Sequence, residues 1–302
     1  MNKDVKVVDV GPRDGFQSVK EFIPTETKIE IIEGIIAAGV KKIQITSFVS
    51  PKAIPQMRDA AEVVAAIMSK HPGFEAFALV PNFRGAEGAV NAGLKEVSHV
   101  MSLSVTHNMN NVKKTHQQSL DEIKRIVDTY PDLKLSEDIA TTFGCPFEGD
   151  EPTDALIDLI GKIKDIGVKE FTLCDTVGLA YPTMIEEKFK AAKAAFPDLI
   201  FNAHIHDTRN MGILNTYVAL QCGAASVQTA LAGLGGCPFA PGASGNTSTE
   251  DLVYMLNKSG YNTGIDFAKL LKTAKYAKSV INGNFSGHHI NIEEHPCVVT
   301  QA

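Results

Sequence analysis

The 302-residue sequence has no C-x-x-C pair, no block of like charge and no uninterrupted apolar run near the roughly 20 residues that span a bilayer. Its five cysteines, Cys145, Cys174, Cys222, Cys237 and Cys297, are odd in number and widely spaced. That argues against a disulfide framework or a zinc knuckle, and most are expected to be buried thiols with one available for chemistry. Apolar runs such as residues 31–40 are broken by Glu33 and glycines, so no membrane partner is expected. The formal charge of -6 comes from interspersed acids and bases, which gives no reason to expect nucleic acid. Residues 1–4 lead directly into an apolar run without the basic start and cleavage site of a secretory signal, so a cytoplasmic protein that begins here is expected.

What is present is a regular alternation. Short β-rich runs at residues 5–10, 42–48, 75–80, 96–103, 133–139, 170–174, 200–205 and 225–230 alternate with helix-like spacing at 25–38, 58–69, 82–92, 117–130, 153–166, 183–195, 212–222 and 247–259. Several helical stretches end in a glycine that reads as a C-cap: Gly39, Gly93, Gly167 and Gly223. Eight βα units predict an α/β fold, a (β/α)8 TIM barrel with a C-terminal helical extension, over a doubly wound open sheet. No linker divides the chain, so 1–302 reads as one catalytic domain with residues from about 266 onward forming a helix and tail.

In such a barrel the site lies at the C-terminal ends of the strands. His204 and His206 stand two residues apart in an apolar run, which puts both imidazoles on one face of the seventh strand. Two imidazoles buried together must be satisfied, either by hydrogen bonds or by a divalent cation. Arg13 and Asp14 follow the first strand, Gln44, Thr46 and Ser47 end the second, and Asp175 and Thr176 end the sixth. Asp14 would add the anionic oxygen that a two-imidazole site needs for Mg2+, Mn2+ or Zn2+, and iron(II) stays open. The glycine-dense loop at residues 232–246 suits mobility or close backbone approach to a ligand, and it is not a Walker A motif. Cys237 lies in it and reads as an acid/base thiol rather than a structural one.

With these residues in view, the chain resembles the 3-hydroxy-3-methylglutaryl-coenzyme A lyase family, within the metal-dependent barrel lyases and Claisen-type synthases. The matching motifs are VGPRDGFQ (10–17), TSFVSPKAIPQM (46–57), GCPFEG (144–149), CDTVG (174–178), HIHDT (204–208) and AGLGGCPFAPGASGNTSTEDLVYML (232–256). The resemblance implies that Asp14, His204, His206 and Asn246 hold a divalent metal, Mg2+ or Mn2+ with Zn2+ as a further candidate. It implies that Arg13 stabilises enolate charge, that Cys237 transfers a proton, and that Asp175 acts as an acid behind the metal. The implied reaction is retro-Claisen cleavage to acetyl-coenzyme A and acetoacetate, with His204 the first choice of base and a hydroxide on the metal the second. The acyl-coenzyme A is the expected partner, and a homo-oligomer, a dimer, is the expected assembly. Rivals are a lyase for a related thioester such as citramalyl-coenzyme A, a Claisen-type synthase, and a metal-binding protein without catalysis.

The chain departs from the family pattern at two acids. Gln44 stands where the typical lyase has glutamate, and Gln228 where it has aspartate. Either the amides are tolerated isosteres, or the acyl substrate differs. The segment SLSVTHNMNNVKK (102–114) also differs; Ser104 and His107 are expected to line the acyl pocket together with Gln44 and Thr46, while Lys113 and Lys114 read as surface lysines rather than phosphate ligands. His288, His289 and His295 read as a solvated tail rather than a second metal site.

Overall fold

The computed structural model describes residues 3–236 and 244–293. A two-residue strand, β1 (Lys3–Asp4), is followed by eight longer ones: β2 (Lys6–Asp9), β3 (Lys42–Ser47), β4 (Glu75–Val80), β5 (Glu96–Ser102), β6 (Lys134–Ala140), β7 (Glu170–Asp175), β8 (Ile200–Ile205) and β9 (Ser226–Thr229). Strands β2 to β9 pair in parallel in chain order, and β9 returns to β2 to close a barrel. Closure excludes the doubly wound open sheet. Outside the barrel, β1 pairs in parallel with β10 (Tyr261–Asn262), a ribbon too short to leave a periodic signal.

The helices are α1 (Thr25–Ala37), α2 (Ala60–Lys70), α3 (Phe83–Asn91), α4 (Val105–Val112), α5 (His116–Thr129), α6 (Thr153–Ile166), α7 (Pro182–Ala195), α8 (Gly212–Gln221), α9 (Thr249–Lys258) and α10 (Phe267–Val280). Local chemistry starts and stops them. Thr115 and Gln118 form a reciprocal capping box at α5, Pro182 opens α7, and Gly167 ends α6 at φ 119°, where a side chain would be strained. The other three expected glycine caps also have positive φ. Helix α4 has no apolar stripe to announce it. Ser104 caps it by accepting from His107 N (3.0 Å), and Asn108 Oδ1 accepts from Ser102 N (3.0 Å).

The core lies between the barrel wall and the helices. Outward-facing Ile43, Ile45, Ile139, Phe171 and Phe201 pack against buried helical residues such as Ile31, Ile35 and Ile160. The lumen is different, because the usual barrel fills it with branched apolar side chains. Here the N-terminal end is plugged by charge: Lys42 bonds Glu96 and lies 3.7 Å from Glu170, and Lys134 reaches Glu170 at 2.8 Å and Glu96 at 3.2 Å. Two cations face two anions, so the plug is neutral, and Asn202 donates to the remaining oxygen of Glu170 (2.9 Å).

The tail is anchored through its backbone, while the His288 ring stays largely in solvent. Asp251 accepts from the backbone N–H of His288 (2.7 Å) and of His289 (3.0 Å), and both ring Nδ1 atoms approach it. His295 and Cys297 lie outside the described residues. No helix among the described residues is long and apolar enough to cross a membrane.

Lys42→Met should destabilise the fold by about 3 kcal/mol, since it leaves two lumen carboxylates facing one cation. Lys6→Met, at the exposed pair with Glu75, should cost less than about 1 kcal/mol. Urea midpoints of the two variants test the difference.

Candidate active site

Barrel closure brings both ends of the sequence to one mouth. After β2 the chain turns through residues 11–15 as a single π-helical turn, started by Gly11 N donating to Asp9 Oδ1 (2.8 Å). Asp9 in turn accepts from Thr249 Oγ1 (2.6 Å), so the start of α9 braces the turn that presents Arg13 and Asp14. Burial raises the pKa of Asp9 to about 7, against these hydrogen bonds.

Asn246 arrives by a different device. Residues 245–248 wedge beside the C-terminal ends of β8 and β9: Asn246 bridges to His206, Ser248 bridges to Ala230, and Asp207 N donates to Gly245 O (2.7 Å). The loop stem is a close backbone approach, as its glycine density suggests. A Cβ on Gly245, whose φ is 92°, would lie 2.6 Å from the carbonyl carbon of Gly235. Residues 237–243, with Cys237, lie outside the described residues.

Asp14, His204 and His206 are all buried, with one ligand atom from each within 4.8 Å of the others. The two Nε2 atoms are 3.1 Å apart, and His206 Nε2 is 3.8 Å from Asp14 Oδ2. Asn246 Nδ2 donates to Asp14 Oδ2 (2.8 Å), while Asn246 Oδ1 is buried without a partner among the described residues. Burial, then the charges of His206 and Arg13, pushes His204 down to about 3, so the imidazole is neutral at pH 7. Burial would raise Asp14, but the Arg13 guanidinium and the two imidazoles overcome it and hold the carboxyl well below the usual range. Two imidazoles, an ionised carboxylate and an orphaned amide oxygen are the donor set a hard or borderline divalent cation takes.

Arg13 bonds Gln44 through Nε and Asp14 through Nη1, and it lines a cavity of about 460 Å³ that also exposes His204, His206, Gln228 and His107. Gln44 therefore orients Arg13 by hydrogen bonding, although the glutamate charge is absent. Gln228 Oε1 meets His204 Nδ1 at 3.0 Å. His107 reaches the cavity from α4 with Nδ1 on Ser102 Oγ (2.7 Å), and burial lowers its pKa to about 4.

Other expected residues lie elsewhere. A bulge between Gln44 and Thr46 breaks the alternation of β3, so Thr46 pairs with core-facing Ala78 and its hydroxyl meets Met57 Sδ (3.6 Å), away from the cavity lining. Ser104 is spent on capping α4 and on Cys145 Sγ (3.1 Å). Both oxygens of Asp175 accept backbone N–H groups, from Leu179 (2.8 Å) and Ala180 (3.2 Å), and burial raises its pKa to about 6. Lys113 donates to Asn110 O, and Lys114 pairs with Glu122. Cys174 lines the cavity, but burial raises its thiol pKa well above the ordinary value.

One cavity residue escaped the sequence reading. Asp138 on β6 is buried, its pKa is raised to about 6 by burial, and its Oδ1 has no partner among the described residues. Its signal was available, because Lys134, Ser136, Asp138 and Ala140 share the alternate face of one strand.

If the four donors act together, Mn2+ should bind the purified protein with one-to-one stoichiometry. His206→Ala with Asn246→Ala should abolish that binding, as titration calorimetry would record.

The HMGL-like family model matches residues 4–276. The chain is 41% identical over 276 residues to a hydroxymethylglutaryl-CoA lyase of Bacillus subtilis, covering 91% of this chain and 92% of that one. Against the human mitochondrial hydroxymethylglutaryl-CoA lyase it is 38% identical over 282 residues, with 93% and 86% covered. Among solved structures, an HMG-CoA lyase from Acinetobacter baumannii in complex with coenzyme A and 3-methylmalate superposes with a TM-score of 0.89 at 36% identity, covering 97% and 98%.

Proposed function

Because the chain belongs to the HMGL-like family, we propose that it is a metal-dependent carbon–carbon lyase that cleaves 3-hydroxy-3-methylglutaryl-coenzyme A into acetyl-coenzyme A and acetoacetate. The observation that carries this reading is the meeting, in one cavity, of the Asp14–His204–His206–Asn246 donor set with a guanidinium fixed at its edge. Lyase names among the relatives supply the substrate class. The whole chain acts as one catalytic domain in this reading, in the cytoplasm and as a dimer.

Asp14, His204, His206 and Asn246 would hold Mg2+ or Mn2+. A divalent cation there supplies Lewis acidity, which lowers the pKa of a chelated tertiary hydroxyl. The protein does the rest. Once the hydroxyl proton passes to solvent water, the bond between the alcohol carbon and the acyl α-carbon breaks. Its electron pair moves onto the thioester as an enolate, and the alcohol carbon becomes the ketone of acetoacetate. Arg13 is held by Gln44 and Asp14 through Nε and Nη1, which leaves its Nη2 edge for the enolate oxygen. Cys237 returns a proton to the enolate carbon to give acetyl-coenzyme A. His204 serves as a ligand rather than as the base, since Nδ1 faces Gln228 and Nε2 faces the donor set. His107 lines the cavity, and Gln44 acts on it by orienting Arg13.

Exhaustive chelation should abolish acetyl-coenzyme A release, and Mg2+ or Mn2+ should restore it; full turnover after chelation refutes the metal reading. Arg13→Met should lower kcat by roughly 10²–10³ while the fold persists. For the substrate, acetyl-coenzyme A release is compared across several 3-hydroxy-acyl thioesters, for the unaltered protein and Gln44→Glu. The methylglutaryl thioester is expected to turn over fastest, and a clear preference for another thioester overturns the assignment.

A further inference from the structure

Below the donor set, Gln44, Ser98, Asp138, Thr172, His204 and Gln228, inward-facing side chains from six strands, form one polar belt across the lumen. Gln44 Oε1 accepts from Arg13 Nε, and Gln44 Nε2 donates to Ser98 Oγ (2.8 Å). The Asp138 carboxyl lies between the hydroxyls of Ser98 and Thr172, Thr172 being its register partner on the adjacent strand, and its Oδ1 is buried without a partner among the described residues. On the far side Gln228 Nε2 donates to Thr172 Oγ1 (3.3 Å), and Gln228 Oε1 meets His204 Nδ1 (3.0 Å). Asp138 is the one carboxylate in this belt, and it sits at the centre.

The direction of every bond follows from the two groups that have a single role. A guanidinium only donates, so the atom of Gln44 that faces Arg13 is its oxygen, its amide nitrogen turns to Ser98, and the Ser98 proton is left for Asp138. An ionised carboxylate only accepts, so the Thr172 proton turns toward Asp138 while the Thr172 oxygen takes one from the amide nitrogen of Gln228. The Gln228 oxygen must then accept from His204, which places the ring proton on Nδ1. The Nε2 lone pair is left facing Asp14 and His206. Both chains of donors point toward Asp138.

We propose that Asp138 is a positioning residue that sets the His204 tautomer through Thr172 and Gln228, and so keeps Nε2 free to ligate. One central acid thereby does what an acid at position 228 would do directly. Gln44 and Gln228 relay its polarity to the two sides of the site, as neighbours of a metal ligand do. The inference rests on the proposed ligand role of His204, but not on the substrate.

Two measurements test it without substrate. In the unaltered, metal-free protein at neutral pH, 15N NMR of the His204 ring, assigned by its loss in His204→Gln, is expected to show the proton on Nδ1. A proton on Nε2 overturns the proposal, whatever the variants do. Asp138→Leu removes the acceptor toward which the Thr172 proton turns, so that hydroxyl should donate to the Gln228 oxygen instead, the amide should flip and the ring proton move to Nε2. Mn2+ affinity, by titration calorimetry with the metal alone, should fall about tenfold. Asp138→Leu combined with Gln228→Glu should recover both the Nδ1 proton and the affinity, because an acceptor then faces His204 directly. A merely structural Asp138 predicts that the second substitution adds to the damage. Unchanged nitrogen signals in Asp138→Leu, or no recovery in the double variant, refutes the proposal.

Discussion

Asp14 is a carboxylate almost removed from water, and an ionised group in that position must be compensated where it sits. Its compensation comes from four places: the adjacent Arg13, the amide of Asn246, and the two imidazoles of the eighth strand. Three of these partners come from 190 or more residues away, so the charge can be tolerated only when the barrel is closed. The braces around it answer the same need. Asp9 holds the turn that carries Asp14, and Thr249 at the start of α9 holds Asp9.

The polar lumen extends this logic down the barrel axis. A neutral four-charge plug closes the N-terminal end, and above it the belt from Arg13 to His204 uses amides and hydroxyls around a single carboxylate. Apolar stabilisation is displaced to the layer between strands and helices, where the isoleucine and phenylalanine side chains are. Among the described residues a small group, Val8, Val10 and Phe77, forms a separate apolar cluster. The wall can then carry a site through its centre without losing its core.

Much of this was legible in the chain. The eight strands alternate strongly enough that each was placed within about two residues, and the glycine caps mark helix ends by a backbone requirement local to each position. That Asp14, His204 and His206 meet was legible because buried imidazoles demand partners. Thr46 was misplaced because a bulge shifts its register, which pattern alone does not reveal. Helix α4 was missed because polar caps rather than an apolar stripe hold it, and the docked His288–His289 segment because its partner Asp251 lies 37 and 38 positions earlier.

The sequence by itself determined the barrel and the residue types of the site, since strand and helix periods and motif spacing are local properties. Tertiary structure decided the polarity of the site. Which atom of Gln44 faces Arg13, which atom of Gln228 faces His204, and that Asp138 lies between them all depend on strands far apart in the chain being neighbours around a closed lumen. Hydrogen-bond direction passes through contacts, and those contacts exist only after closure.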